Sequence, residues 1–219
     1  MSLKDLHHYF SKKNSYSQHG EDMILMSYFN HDYKGFFVDV GAHHPFRFSN
    51  TYSFYRRGWR GINIDAKPGV KKLFDRVRPN DINLELGIAG EEGSLTFYMF
   101  DEPALNSFSK ELSEERNENT RYKIIDTKDV MVRRLSKVLE EHIPTGQNID
   151  FLTVDVEGLD IEVLESNDWE RFRPSMVVVE DLDLDLQNLH NSAVYESLFS
   201  KGYVLVGKTL ASLIFKSNR

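Results

Sequence analysis

Gly35 to Pro45 reads GFFVDVGAHHP, an apolar run that ends on an acid and then a glycine. Phe36, Phe37, Val38 and Val40 are the aromatic and β-branched residues of a strand buried on both faces, and Gly41 is where the backbone must turn. The run predicts the first strand of an α/β sheet. In open sheets of that kind ligands lie outside the carboxyl ends of the strands, where strand order reverses, so a site is expected just past Gly41.

Downstream, Ser49 or Asn50 can cap a helix through Tyr52, Phe54 and Tyr55, and Gly58 is a left-handed stop. Arg60 to Asp65 then reads as a second strand that also ends in an acid. Two strands bridged by one helix form a right-handed βαβ unit, which makes them parallel neighbours. A carboxylate at Asp65 can accept two hydrogen bonds from the vicinal diol of a ribose. It can equally cap the turn before Lys67 and Pro68.

A helix through Val70, Leu73, Phe74 and Val77 and a third strand over Asp81 to Ala89 follow. Glu91 to Gly93 is expected to turn that strand into a hairpin with Ser94 to Phe100. Asp101 to Arg121 is rich in charge and weak in apolar period, which predicts a mobile loop with one short helix, either a lid or a solvated surface. Asp129 to Arg133 makes a short strand, and Ser136 caps the helix behind it. In Ile149 to Val156 a buried strand recurs, and Asp155, Glu157 and Asp160 crowd its exit; three carboxylates there are costly unless something binds them. Ser175 to Glu180 is another strand, followed by the acidic run Glu180, Asp181, Asp183 and Asp185. Tyr203 to Val206 and Leu210 to Phe215 close the chain as an antiparallel hairpin. The count is about seven core strands.

Upstream of the first strand, Ser17 is expected to cap an amphipathic helix with Ile24, Leu25, Tyr28 and Phe29 on its apolar face, with Gln18, His19 and Glu21 as candidate site residues. The expected organisation is a helical segment over 1–34 packed on one domain over 35–219. The chain has 219 residues, 40% of them hydrophobic, and no stretch resembling a linker, which predicts a soluble globular protein. No apolar run approaches the roughly 20 residues of a membrane span. The opening MSLKDLHHYF has no signal-peptide core, and the absence of cysteine excludes disulfides and thiolate chemistry; together they predict a cytoplasmic location. A formal net charge of −7 argues against nucleic acid as a partner.

These stretches together resemble the FkbM family of S-adenosylmethionine-dependent methyltransferases: SQHGED at 17 to 22, VDVGAHHP at 38 to 45, INIDAKP at 62 to 68 and FLTVDVEGLDIEVLES at 151 to 166. The resemblance implies a class I, Rossmann-like α/β fold with a seven-stranded, mostly parallel sheet, helices on both faces and a C-terminal antiparallel hairpin. It also implies S-adenosylmethionine as cofactor and methyl transfer to the hydroxyl of a small molecule, such as a sugar or natural product. By position, Asp39, Val40 and Gly41 would support the methionine part of the cofactor, Asp65 and Ala66 its ribose, and Gly87 and Ile88 its adenine. Asp155 would face both the sulfonium and the acceptor. The loop departs from the GANxG that family members often carry: His43 stands for Asn and Pro45 for the second Gly.

Two rival patterns are missing. Gly41 has no second glycine partner before Gly58, which argues against a nicotinamide-binding fingerprint, and there is no P-loop lysine motif. Methyl transfer to oxygen needs the acceptor aligned and its proton removed, and the candidate bases are Asp155, His43 and Glu157. The alternative to a protein base is a hard divalent cation held by Asp155, Glu157 and Asp181, with His43 nearby, which would lower the hydroxyl pKa. A further alternative is a binding module that keeps the fold without turnover.

Overall fold

The computed structural model describes residues 14–182 and 184–219. The first part of the expected N-terminal segment, 1–13, and Asp183 of the acidic run lie outside the described residues. The predicted first strand forms as β1 (Phe36–Val40), every residue of it buried. Its period-two alternation sends Phe36, Val38 and Val40 to one face of the sheet and Phe37 and Asp39 to the other. Strand β2 (Arg60–Asp65) pairs with β1 in parallel, Val38 opposite Ile62 and Val40 opposite Ile64. The helix between them is α2 (Tyr52–Arg56), preceded in the chain by α1 (Glu21–Met26). Beyond β2 come α3 (Val70–Val77) and β3 (Ile82–Glu85).

The third strand does not run through to Ala89, and the hairpin expected around Glu92 does not form. The chain leaves the main sheet at Leu86, and β4 (Gly87–Ile88) enters a second sheet of three strands in the order β4-β6-β5. There β5 (Gly93–Phe100) pairs antiparallel with β6 (Ile124–Arg133), and β4 pairs with the other edge of β6 in parallel. Buried Val132 is the register partner of both Gly87 and Gly93 and so lies between them. Strand β6 is longer than expected because its first half, Ile124 to Lys128, is exposed from Ile125 onward and carries no strand period.

The remaining elements are α4 (Lys110–Asn119), α5 (Leu135–His142), β7 (Phe151–Val154), α6 (Asp160–Glu165), β8 (Met176–Glu180), α7 (Ala193–Ser200), β9 (Tyr203–Lys208) and β10 (Ser212–Ser217). The main sheet has seven strands in the order β3-β2-β1-β7-β8-β10-β9. Only β10 runs against the rest, as the last of the expected elements required. On one face Val38, Val40, Ile64, Leu152 and Val177 pack under Val138, Leu139, Leu164 and Leu198. On the other, Phe37, Phe151 and Val178 pack under Leu25, Phe54 and Trp59. No helix of the described residues is long and apolar enough to cross a membrane.

One expected cap is replaced by a longer-range contact: helix α5 starts at Leu135, whose N–H donates to the buried Ser166 Oγ at 2.9 Å, in place of a cap by Ser136. Helix α1 starts after Gly20, which has φ +89, and Ser17 Oγ accepts the Asp22 N–H of its first turn at 3.3 Å while donating to the Asp22 carboxylate at 2.9 Å. Asp22 is fully buried and also accepts from Ser15 Oγ, the Tyr16 N–H and Ser53 Oγ, so this carboxylate ties 15–22 to α2. Glu21 is buried beside it and accepts from Thr209 Oγ1, which reaches across from the β9–β10 turn.

Candidate active site

The main sheet reverses direction between β1, from which the chain winds outward to β2 and β3, and β7 on its other side. At the carboxyl ends of these strands lies a cleft of about 750 Å³, open to solvent. Gly41 forms its floor with φ +81, and a Cβ there would fall 1.7 Å from the Asp155 carbonyl oxygen. No side chain fits that position, so the strand exits of β1 and β7 approach as closely as backbone allows. The Asp155 N–H donates to the Val40 carbonyl at 3.0 Å and the Gly41 N–H to the Ile64 carbonyl at 2.9 Å, which locks the three exits together.

Val40, Gly41, His43, Asp65, Ala66, Gly87, Ile88, Asp155 and Glu157 all line this cleft, as do Gln18 and Lys67. Asp65 accepts the His43 N–H at one oxygen and the Lys67 N–H at the other, both at 2.7 Å. The acid therefore clips the loop after β1 onto the exit of β2. Burial pushes its pKa up, against the pull of those two backbone donors.

Asp39 does not reach the cleft. It points to the Phe37 face, where it is buried and accepts from Thr51 Oγ1 at 2.7 Å. Thr51 also accepts from Arg78, a fully buried guanidinium paired with Asp81 at 2.8 Å. Burial pushes Asp39 up to about 6, although the Thr51 hydroxyl and Arg78 favour its charge. Asp181 is also absent from the cleft wall: its N–H donates to the Ala211 carbonyl and its carboxylate accepts from Ser192 Oγ, in a neighbouring groove. Glu180, the last residue of β8, lines that same groove and differs from Asp181 in bringing its carboxylate up to those of Asp155 and Glu157.

Asp155, Glu157 and Glu180 each offer a carboxylate oxygen within 4.8 Å of the others. Asp155 lines the cleft and is exposed. Desolvation by the protein around it, then the charges of Glu180, Glu157, Asp160 and Asp39, raise its pKa well above that of an ordinary carboxylate. Burial, then Glu157 and Asp160, push Glu180 up to about 8, although Arg116 opposes them. Glu157 is raised by burial and held back by Arg116, with which it forms an ion pair. Arg116 and Glu180 were not among the expected site residues. Glu180 ends an apolar strand run as Asp65 does, which is the signal that could have found it; Arg116 lies in α4 with no such mark.

His43 has φ +52 and its Nε2 accepts from Arg47 Nη1 at 3.0 Å. Burial, then Arg47, Lys67 and His44, lower its pKa to about 4, so the ring is neutral near pH 7 with that lone pair engaged. The three non-glycine residues with positive φ among the described residues are His43, Phe48 and Glu157, and all three line the cleft. Backbone strain of this kind collects at functional sites. Phe97 and Phe108, with ring centroids 4.7 Å apart, close the side of the cleft next to Gly87.

A doubly wound α/β domain with a glycine-floored cleft at its switch point belongs to the class that binds its ligand outside the carboxyl ends of the strands. The chain belongs to the family described as the methyltransferase FkbM domain, which matches residues 39–205. It is similar to methyltransferase sdnD of Sordaria araneosa, 36% identical over an alignment of 139 positions that covers 53% of this chain and 48% of that protein. The chain thus spans about half the length of this relative. Among solved structures it is similar to the methyltransferase FkbM of Methylobacillus flagellatus KT, with a TM-score of 0.47, 10% identity, and coverage of 84% of this chain and 44% of that one. It is also similar to the precorrin-6y C5,15-methyltransferase of Geobacter metallireducens GS-15, with a TM-score of 0.44, 13% identity, and coverage of 90% and 87%.

Proposed function

We propose that the chain transfers a methyl group from S-adenosylmethionine to the hydroxyl of a small molecule, with Asp155 as the general base. One observation carries the reading: beside Gly41, at the switch point, stands a carboxylate open to the cleft whose surroundings raise its proton affinity. The donor set fits the cofactor. Asp65 keeps lone pairs for a ribose diol, and Phe97 and Phe108 offer apolar surface beside Gly87 and Ile88 for adenine. When bound, S-adenosylmethionine supplies a methyl carbon made electrophilic by its sulfonium.

The protein's part is then alignment and proton removal. Asp155 takes the acceptor's proton, and its raised pKa makes it a stronger base than an ordinary carboxylate. His43 is the weaker candidate because Arg47 already occupies its Nε2. A second reading is favoured by the acid cluster: Asp155, Glu157 and Glu180 offer the oxygen donors that a hard divalent cation takes, in place of the set with Asp181. A divalent requirement for methyl transfer would select it.

The test is calorimetric titration with S-adenosylmethionine and S-adenosylhomocysteine, for the wild type and Asp65→Ala. Micromolar binding that the variant loses supports the reading, and thermal unfolding separates loss of a ligand contact from collapse of the clipped loop. A folded wild type that binds neither compound refutes it. Acceptors are then screened with and without Mg²⁺.

A further inference from the structure

The outer wall of the cleft is one stretch of chain, 102–119, which joins β5 to β6 and contributes Pro103, Ala104, Asn106 and Phe108 to the lining. It is fastened to the body of the domain at both ends. At its start, Glu102 accepts from Arg47 Nη1 at 3.0 Å and Nη2 at 3.1 Å, and Arg47 lies in the loop after β1. Toward its end, Arg116 pairs with Glu157 in the loop after β7. Between the two, Ser107 Oγ donates to the Glu157 carbonyl at 2.6 Å, and Leu112 and Ser109 cover Gly158.

Its first part is packed, since Phe108 lies on Phe97 and Ser107 bridges Tyr98 of β5, but little apolar burial holds down its second part, α4. Of the ten residues of α4, KELSEERNEN, only Leu112 is hydrophobic, and Ser113 is the only one that is buried. An element with few buried apolar contacts sits at the low end of local stability and opens before the core does. What closes it is polar, and the two ion pairs are unequal. Arg47 and Glu102 are 41% and 30% exposed, so water and salt screen them. Arg116 and Glu157 are 17% and 14% exposed. Breaking the buried pair strands a carboxylate beside Asp155 and Glu180, with no cation in place of the guanidinium.

Glu157 makes the fastening matter to the site. It has φ +56, a conformation that side-chain-bearing residues adopt only when held, and both its carbonyl and its carboxylate are held from the same stretch. We propose that 102–119 is a strap that must lift for the cofactor to enter and leave, and that Arg116 is the positioning residue that keeps it shut by gripping Glu157. This rests on the reading that the cleft holds S-adenosylmethionine.

The probe is S-adenosylhomocysteine, its release timed by surface plasmon resonance from the full chain and from Arg116→Ala and Arg116→Lys. Hydrogen exchange of 103–118 is followed in the same proteins with and without ligand. The expected result is release about tenfold faster from Arg116→Ala, with recovery toward wild type in Arg116→Lys, because a lost closing contact appears chiefly in the off-rate. Exchange across 103–118 should quicken in Arg116→Ala and slow in the wild type when ligand is added. If Arg116→Ala does not fold, Glu157→Gln replaces it, since the amide keeps the shape and removes the charge. Wild-type release from a folded variant overturns the strap. Failure of the wild type to bind S-adenosylhomocysteine overturns the cofactor reading and the strap with it, an outcome distinct from binding with unchanged release.

Discussion

Gly41→Ala probes the contact on which the cleft is built. Two penalties add at this position. The backbone has φ +81, where a side chain costs about 1–2 kcal/mol. The new Cβ would also meet the Asp155 carbonyl oxygen at 1.7 Å, the Asp155 carbonyl carbon at 2.7 Å and Val156 Cγ1 at 3.3 Å. The first of these contacts is backbone in a strand exit and cannot rotate away, so β1 and β7 must part at their ends, an overpacking cost of about 1–3 kcal/mol. The sum, about 2–5 kcal/mol, is a large share of the ~5–15 kcal/mol that stabilises an ordinary domain. At ~2–4 °C per kcal/mol for a chain of this size, the midpoint of thermal unfolding should fall by roughly 5–15 °C. Gly69→Ala is the control, because Gly69 has φ +84 and nothing within 4 Å of its would-be Cβ. It carries the backbone penalty alone. Urea unfolding of both variants gives the difference, and calorimetry with S-adenosylhomocysteine should show weakened binding only for Gly41→Ala. Equal losses in the two variants would refute the steric argument and with it the close approach of the two strand exits.

Asp155→Asn removes the base and keeps the shape, so methyl transfer to a working acceptor should drop by about 10²–10⁴-fold while S-adenosylhomocysteine still binds; an active variant would reassign the base. Asp39→Asn should leave that binding unchanged, because Asp39 faces Thr51 and not the cleft. Its folded pKa of about 6 lies above the ordinary 3.8, so its contribution is fully present below 3.8 and lost as pH rises through about 6. At ~1.4 kcal/mol per pH unit the loss approaches ~3 kcal/mol, and urea titrations from pH 4 to 7.5 should show a decline that is smaller by about that amount in the variant, the remainder coming from raised acids such as Asp160 and Glu180. Ser166→Ala orphans the buried Leu135 N–H at the head of α5 and should cost about 1–3 kcal/mol in urea unfolding, with ligand binding unaffected.

Much of the site could be read from one dimension because its signals are local. A buried strand announces itself as an unbroken apolar run, and the residues at its exit follow at once in the chain. Val40, Gly41, Asp65 and Asp155 stand at or next to such exits, and the structure sets all four on the wall of one cleft. The antiparallel closing hairpin was legible for the same reason: two short strands a few residues apart leave no room for a crossover.

What the sequence could not decide was direction and distant partnership. Asp39 lies one residue from a position that faces the site, and alternation turned it away; only the packing shows which parity points inward, and Asp181 falls past the end of β8 into the neighbouring groove. Strand β5 found its partner in β6, beyond the charged stretch 101–123, because Val132 is apolar enough to be buried between two glycines and nothing adjacent in sequence signals that. The same stretch reads as a solvated loop until folding brings Arg116 to Glu157, 41 residues away. Apolar periodicity is written along the chain, whereas a pairing between charges exists only once the backbone has closed the distance, so the sequence determined the sheet and its exits and the tertiary structure decided which acids meet there and what covers them.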